Sequence, residues 1–234
     1  MTCYFYVSLR DNIIYNQFKT LYANSSSAEH IKAKVIDYLI SILTTDFVVG
    51  NEVMYGTERK VVDLLLLLNK SLIAIEIKGE KDNLLRLEKQ LIEYKKNFNG
   101  IIICTTNTHH TKIRKIVNNE VGLLLYSEGE IREVRKPIMR KRLDKKEILS
   151  SIPSVYLKQI AKSKINALNS DEVREYYLNF PLYKIQDIYY TYMSQRLKDN
   201  FALFIQERGQ ESHIDDIPLL SIQSTNIQSN SPLL

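Results

Sequence analysis

Two apolar runs set back to back decide most of what this chain can become. VVDLLLLL fills positions 61–68 and SLIAIEIKG fills 71–79, with a short link around Asn69 to Ser71. The longer run is far short of the roughly 20 residues that a bilayer-spanning helix needs, and so short a link fits a β-hairpin. Side chains of a strand alternate faces, so residues two apart share one. Ile73, Ile75 and Ile77 take one side of the second run, and Ala74, Glu76 and Lys78 take the other. The three isoleucines mark a core face. A carboxylate and an amine in such company need partners, because an unpaired buried charge is costly. The hairpin would set Asp63, which interrupts the first run, across from Glu76 or Lys78.

Two carboxylates and one lysine on neighbouring strands are a compact way to build a Mg²⁺-dependent phosphodiester-cleaving site. A divalent cation would satisfy Glu76 and tolerate Lys78, with phosphate completing the charge balance. Taken alone, E-x-K more often marks a solvated strand end. Asp63 on the preceding strand adds weight, and so does the segment that follows. There Leu84, Leu87, Leu91, Tyr94 and Phe98 recur at helical spacing. Asp82 is the expected N-cap, and Asn99-Gly100 the expected stop. Gln90 and Tyr94 lie one turn apart beside the strand that bears Glu76 and Lys78. The ordinary reading makes Tyr94 core and Gln90 surface.

Asp63, Glu76-x-Lys78 and Gln90-x-x-x-Tyr94 together resemble the PD-(D/E)XK nuclease superfamily, also called restriction-endonuclease-like. The resemblance covers roughly residues 27 to 126. Asp82-x-Leu84-x-Arg86-Leu87-x-x-Gln90, with Asn51-Glu52-Val53 upstream, is similar to a branch of small, poorly characterised bacterial and phage proteins of this fold. One departure is Val62, where many members carry proline before the first acid. The resemblance implies metal-binding roles for Asp63 and Glu76, with Glu52 as an additional acidic ligand. It implies that Lys78 orients the attacking water or stabilises charge on the scissile phosphate. Gln90 and Tyr94 would support the site or touch nucleic acid. It implies Mg²⁺, with Mn²⁺ as a substitute. Mg²⁺ takes oxygen ligands, keeps several waters and needs only one or two carboxylates.

Composition sets the remaining bounds. At 234 residues and 44% hydrophobic, the chain can bury a real core. Its two cysteines, Cys3 and Cys104, match no metal spacing, which fits a reduced, cytoplasmic setting. The start, MTCYFYVSLR, has no basic n-region or long h-region, so no signal peptide is expected. The formal charge of +5 leans toward an anionic partner. Much of the excess crowds into one segment: Arg132, Arg135, Lys136, Arg140, Lys141, Arg142, Lys145 and Lys146. The first six of these, with Arg86, are the candidate contacts to a phosphate backbone. A solvated basic linker explains the same run equally well.

The expected order is α-β-β-β-α-β-α-β: an α/β, restriction-endonuclease-like mixed sheet flanked by helices, with a C-terminal helical appendage. Ser26-x-x-Glu29 reads as a capping box that opens the first helix. Glu29 reads as a cap rather than a site residue. Strands are expected at 47–54, 101–105 and 121–126, with a helix over 111–118. His109 and His110 read as a loop pair before that helix. Further helices are expected at 151–164, at 170–179, and from Pro181 to Arg208. Their many aromatics read as packing rather than as a base-stacking platform. The chain thus divides into a nuclease-like core (1–135), a basic linker and helical appendage (136–208) and a polar tail (209–234). The first 24 residues, with Tyr and Phe interleaved, would form a short strand or an arm.

The function expected is Mg²⁺-dependent hydrolysis of phosphodiester bonds, most readily in DNA, by a metal-activated water. A homodimer would suit cutting of two strands, and a membrane has no place in this reading. Phage, mobile-element or defence biology is implied by the resemblance alone. Two other readings remain open: a nucleic-acid-binding protein of the same fold that does not cleave, and a regulatory module that docks a partner protein through its helical appendage.

Overall fold

The apolar runs form their hairpin within a six-stranded sheet, in a computed structural model that describes residues 27–161 and 165–221. Strands β1 (Phe47–Tyr55), β2 (Lys60–Leu68) and β3 (Ser71–Lys78) make an antiparallel meander. β4 (Gly100–Thr106) and β5 (Gly122–Ser127) add on parallel to β3, and β6 (Glu130–Arg135) closes the far edge antiparallel to β5. The spatial order of the strands follows their order in the chain. Between β2 and β3, Asn69 and Lys70 both take positive φ, 48° and 60°. Two such central residues make the type I′ turn whose twist matches that of the flanking strands.

Helices cover both faces. α1 (Ala28–Ile42) precedes the sheet, α2 (Leu87–Asn97) links β3 to β4, and α3 (Asn107–Ile116) links β4 to β5. Beyond β6 come α4 (Lys145–Ser150), α5 (Ser154–Ile160), α6 (Ser170–Leu178), the long α7 (Leu182–Glu207) and a short 3-10 helix (Ile214–Leu220). Ile31, Val35, Ile36 and Leu39 of α1 pack on Leu64, Leu66, Ile73, Ile75 and Ile77. The opposite face carries Leu65, Leu67 and Ala74. Leu87, Leu91 and Tyr94 of α2 pack there, joined by Ile148, Leu149, Val173, Ile185 and Tyr189 of the C-terminal helices. The C-terminal helices therefore share a core with the sheet. α7 reaches both layers: Leu197 belongs to the second core, Phe201 and Phe204 to the first. The helix passes over edge strand β1 so closely that a Cβ on Gly50 would lie 2.6 Å from a Leu197 methyl. Covering an edge strand in this way removes a site of unwanted strand pairing.

The α/β class, the mixed sheet and the flanking helices are those the sequence predicts, but several boundaries differ. The cap of α1 is Ser27, whose hydroxyl accepts from the His30 amide at 3.2 Å. Asp82 does not cap α2; it accepts from the Gly79 amide at 2.8 Å and closes a turn, and the helix starts five residues later. α3 begins at Asn107, so His109 and His110 lie in its first turns rather than in a loop. The helix expected over 151–164 starts only at Ser154, because Pro153 cannot donate an interior helical bond, and a separate α4 ends before it at Ser150. β6 was not expected. Its pattern, EIREVR, is charged and exposed, as an edge strand can be. Residues 1–26, 162–164 and 222–234, which include the expected N-terminal arm and half of the polar tail, lie outside the described residues. Among those described, no helix is long and apolar enough to cross a membrane.

Candidate active site at the β2–β3 fork

Backbone pairing between β2 and β3 ends at Leu64 and Ile75. The next residues in register are Asp63 and Glu76, where the strands part. Asp63 fills the gap with its side chain: Oδ2 accepts the Ile77 amide at 2.8 Å. On its other side Asp63 lies in register with Glu52, between the paired residues Asn51–Leu64 and Val53–Val62. Glu52 has φ of 51°, a left-handed conformation that only Gly adopts without cost. The strand phase slips here. Val62 packs in the same core as Leu65 and Leu67, while Leu64 packs in the other. Such irregularities bend a strand and re-aim side chains.

Glu76 is 2% exposed and its oxygens are claimed by three donors. Lys78 Nζ lies 2.6 Å from Oε1, and Gln90 Nε2 donates to the same oxygen at 2.8 Å. The Tyr94 hydroxyl donates to Oε2. α2 thus delivers Gln90 and Tyr94 from one turn to one carboxylate. The Tyr94 ring serves both readings at once, since it also packs 5.6 Å from the rings of Tyr55 and Phe98. Burial first, then the Glu76 charge and the hydrogen bond to it, push the Tyr94 hydroxyl far above its ordinary range, so it stays a donor. The amide oxygen of Gln90, Oε1, is buried without a partner.

Lys32 is the residue that sequence reasoning missed. Its side chain is 4% exposed, and Nζ reaches Glu29 at 3.0 Å and Glu52 at 3.4 Å. Burial opposes its charge, but the hydrogen bond to Glu29 and the charges of Glu29, Asp63 and Glu52 hold the ammonium above its ordinary value. The signal was present in the sequence, because Lys32 lies one turn before the buried Ile36 on the apolar side of α1. Glu29 therefore takes part in a charged cluster instead of capping its helix. Glu52 is in register with Asp63, yet its carboxylate is exposed and turned to Lys32.

Asp63 shows what the fork lacks. Burial, then the charge of Glu76, raise its carboxyl from 3.8 to about 6, against the Ile77 hydrogen bond and the charges of Lys32 and Lys78. A cation would relieve that crowding. Hard oxygen donors in that state suit Mg²⁺, which needs only one or two carboxylates and keeps water. Asp63 and Glu76 would hold it. Among the described residues, no three His, Cys, Asp or Glu side chains gather as a ready-made metal cage.

The basic candidates divide into two kinds. Arg135 is spent on structure: it donates to the Val121 and Asn118 carbonyls at 2.8 and 3.0 Å and to Asn119 at 3.0 Å. Arg140 pairs with Glu120 at 3.2 Å, and its backbone is tied to Asn99. Lys145 satisfies the last carbonyls of α6, at Leu178, and of Phe180. Arg86, Arg132, Lys136, Lys141 and Arg142 are exposed. Arg86 stands at the start of α2, one turn before Gln90.

Known proteins resemble this chain along much of its length. The model of the family described as bacteriophage P4 protein cII matches residues 22–221. A curated relative, Protein cII of Enterobacteria phage P4, is 25% identical over 209 residues, which is 82% of this chain and 77% of that protein. A solved structure, the SPO1766 protein of unknown function from Silicibacter pomeroyi, aligns with a TM-score of 0.39 at 15% identity. That alignment covers 65% of this chain and 93% of the other.

Proposed function

This chain belongs to the bacteriophage P4 protein cII family, and from the β2–β3 fork we propose that it is a metal-dependent nuclease of restriction-endonuclease-like architecture. The observation that carries the reading is the convergence of Asp63 and Glu76 at the point where two strands part, with Lys78, Gln90 and Tyr94 all on Glu76. The Gln90–Tyr94 pair is also the element that sets this chain's resemblance to the nuclease superfamily apart from a chance E-x-K.

Each residue has a definable task. The Ile77 amide fixes Asp63 through Oδ2. Gln90 and Tyr94 hold the Glu76 carboxylate in one orientation, which suits a ligand that must be placed within about 0.5 Å. Lys78 supplies a fixed positive charge where negative charge develops on a phosphate. Mg²⁺, when bound, would supply Lewis-acid polarisation of a phosphoryl oxygen and activation of water. The substrate is a phosphodiester of nucleic acid, DNA first, in a cytoplasmic setting. Arg86 and the exposed part of the basic segment would hold its backbone.

One observation favours a second reading, a nucleic-acid-binding protein of the same fold that does not cut. Both Glu76 oxygens already have donors, and Lys78 neutralises the charge a metal would meet. The two readings separate in a cleavage panel of single- and double-stranded DNA and RNA with Mg²⁺ or Mn²⁺, run beside chelator and Glu76→Ala controls. Cleavage lost in both controls supports the nuclease. Binding that survives Asp63→Ala, with no metal-dependent product from the parent chain, supports the second reading.

A further inference from the structure

We infer that Lys32 holds the place of a second cation at the fork: its ammonium takes up Glu29 and Glu52, so that the site accepts one divalent ion where its carboxylates would otherwise take two. The inference rests on the proposed function for the ion at Asp63 and Glu76, but it concerns a different pair of carboxylates and is read by counting ions. Lys32 belongs to the buried side of α1, with Ile31, Val35 and Ile36. Glu29 lies one turn before it on the same helix, a spacing that brings side chains together. Glu52 comes from β1, where it stands in register with Asp63. One ammonium thus ties the first helix to the strand that flanks the fork.

This is not an ordinary surface ion pair. The Lys32 side chain is 4% exposed, whereas those of Glu29 and Glu52 are 47% and 59% exposed. On a helix surface the lysine is the partner whose charged head reaches water. Here the ammonium is the buried member, and burial to this degree needs paired charge. Both carboxylates lie within 3.4 Å of the one nitrogen. Glu52 reaches it from a backbone φ of 51°, which costs energy in any residue but Gly and persists only where the surroundings impose it.

Carboxylate oxygens gathered on one point are what Mg²⁺ and Mn²⁺ take, and two carboxylates are enough. Here the point is filled by a charge that the chain itself supplies. A divalent ion drawn to the same oxygens would meet the ammonium at contact range, where burial leaves it little screened. The field of Lys32 also reaches Asp63, and each of these charges favours the charged form of the other. The fork is thus bracketed by two lysines, Lys78 on Glu76 and Lys32 on Glu52, with Asp63 in register beside Glu52. Two-metal sites place one ion on the attacking oxygen and one on the leaving oxygen. At this fork the second positive charge is fixed in the fold. Lys32 is a positioning residue: it keeps Glu52 off the ion and leaves Asp63 and Glu76 to hold it.

The test uses the full chain without nucleic acid, titrated with Mn²⁺, and counts bound ions by the loss of the free-ion electron paramagnetic resonance signal. Lys32→Met is expected to bind one Mn²⁺ more per chain than the parent. Lys32→Arg, which keeps the charge, should match the parent. Adding Glu52→Gln to Lys32→Met should remove the extra ion. Equal counts in the parent and Lys32→Met, or an extra ion that survives Glu52→Gln, would overturn the inference. A second measurement keeps the lysine in place, in case Lys32→Met does not fold. The ¹⁵Nζ resonance of Lys32, assigned by its absence in Lys32→Arg, should stay where it is at saturating Mg²⁺. An ammonium displaced by the ion would sink the inference equally. The parent's own count tests the nuclease reading. If the parent binds no Mn²⁺ and Lys32→Met binds one, the role of Lys32 stands and the metal-dependent nuclease falls. A parent ion that is lost in Asp63→Asn, with none gained in Lys32→Met, gives the reverse.

Discussion

Asp63 is a residue whose environment works against the fold at neutral pH. Its carboxyl is raised from 3.8 to about 6, so the folded protein holds a proton that the unfolded chain has already released between those values. Stability from this group is fully present below about pH 4, falls as pH rises through about 6, and stays lost above it. With the group partly open to solvent, the loss is on the order of 2 kcal/mol. Asp63→Asn is therefore expected to melt higher than the parent at pH 7.5, and the gap should close by pH 4. A variant that melts lower at pH 7.5 would count against the crowding of Asp63 by Glu76. Lys78→Met should act in the opposite direction, because it leaves Glu76 buried without its cation. Chemical denaturation should show a loss of about 3 kcal/mol, with much of it recovered when Glu76→Gln is added. At this scale the sequence was informative through strand parity. Alternation put Glu76 and Lys78 on one face and the isoleucines on the other, and the structure keeps that division. Lys32 escaped because it reaches the fork from a helix that is remote in sequence and lies on the other face of the sheet.

At the scale of elements, the hairpin and the helix after it were readable because each has a strong period and a short connection. α7 was readable as a long helix, but not as the cover of an edge strand. That role depends on Gly50, where the missing side chain lets Leu197 approach. Gly50→Val is expected to cost about 1–3 kcal/mol, as overpacking does. Leu197→Ala in the same background should recover part of that loss, which a double-mutant cycle in urea would measure. If Gly50→Val is neutral, α7 does not press on β1 as described. The elements that eluded the sequence share a cause. β6 pairs along its backbone while its side chains face solvent, so no apolar alternation announces it. The start of α2 was misjudged because Asp82 has the chemistry of a cap but spends it on a turn at Gly79. Local side-chain competition of this kind is settled by where the neighbouring strand ends.

At the scale of the whole molecule, one core runs from the sheet into the C-terminal helices: Leu65, Ala74 and Tyr94 pack with Ile148, Val173 and Tyr189. The chain is therefore expected to unfold in one transition, with tyrosine fluorescence and far-ultraviolet dichroism coinciding. Truncation after Arg135 should abolish that transition, since it exposes the apolar face that these helices cover. A metal at the fork would add to stability by mass action. Mg²⁺ should raise the melting temperature of the parent chain at pH 7.5, and much less at pH 5, where Asp63 holds its proton. Asp63→Asn should respond weakly at both pH values. An equal response of parent and variant would place the ion elsewhere.

What the sequence determined by itself was what repeats at short range: the hairpin, the alternation that separates core from charge, the helical faces, and the chemical character of Asp63, Glu76, Lys78, Gln90 and Tyr94. These follow from backbone periods of two and 3.6, which act over a few residues. What only the tertiary structure decided was which groups meet. The β2–β3 pairing ends before Asp63, so its side chain takes the place of a carbonyl. Lys32 arrives from across the sheet and draws Glu52 to itself. Those encounters depend on register and packing between segments far apart in the chain, and no local period records them.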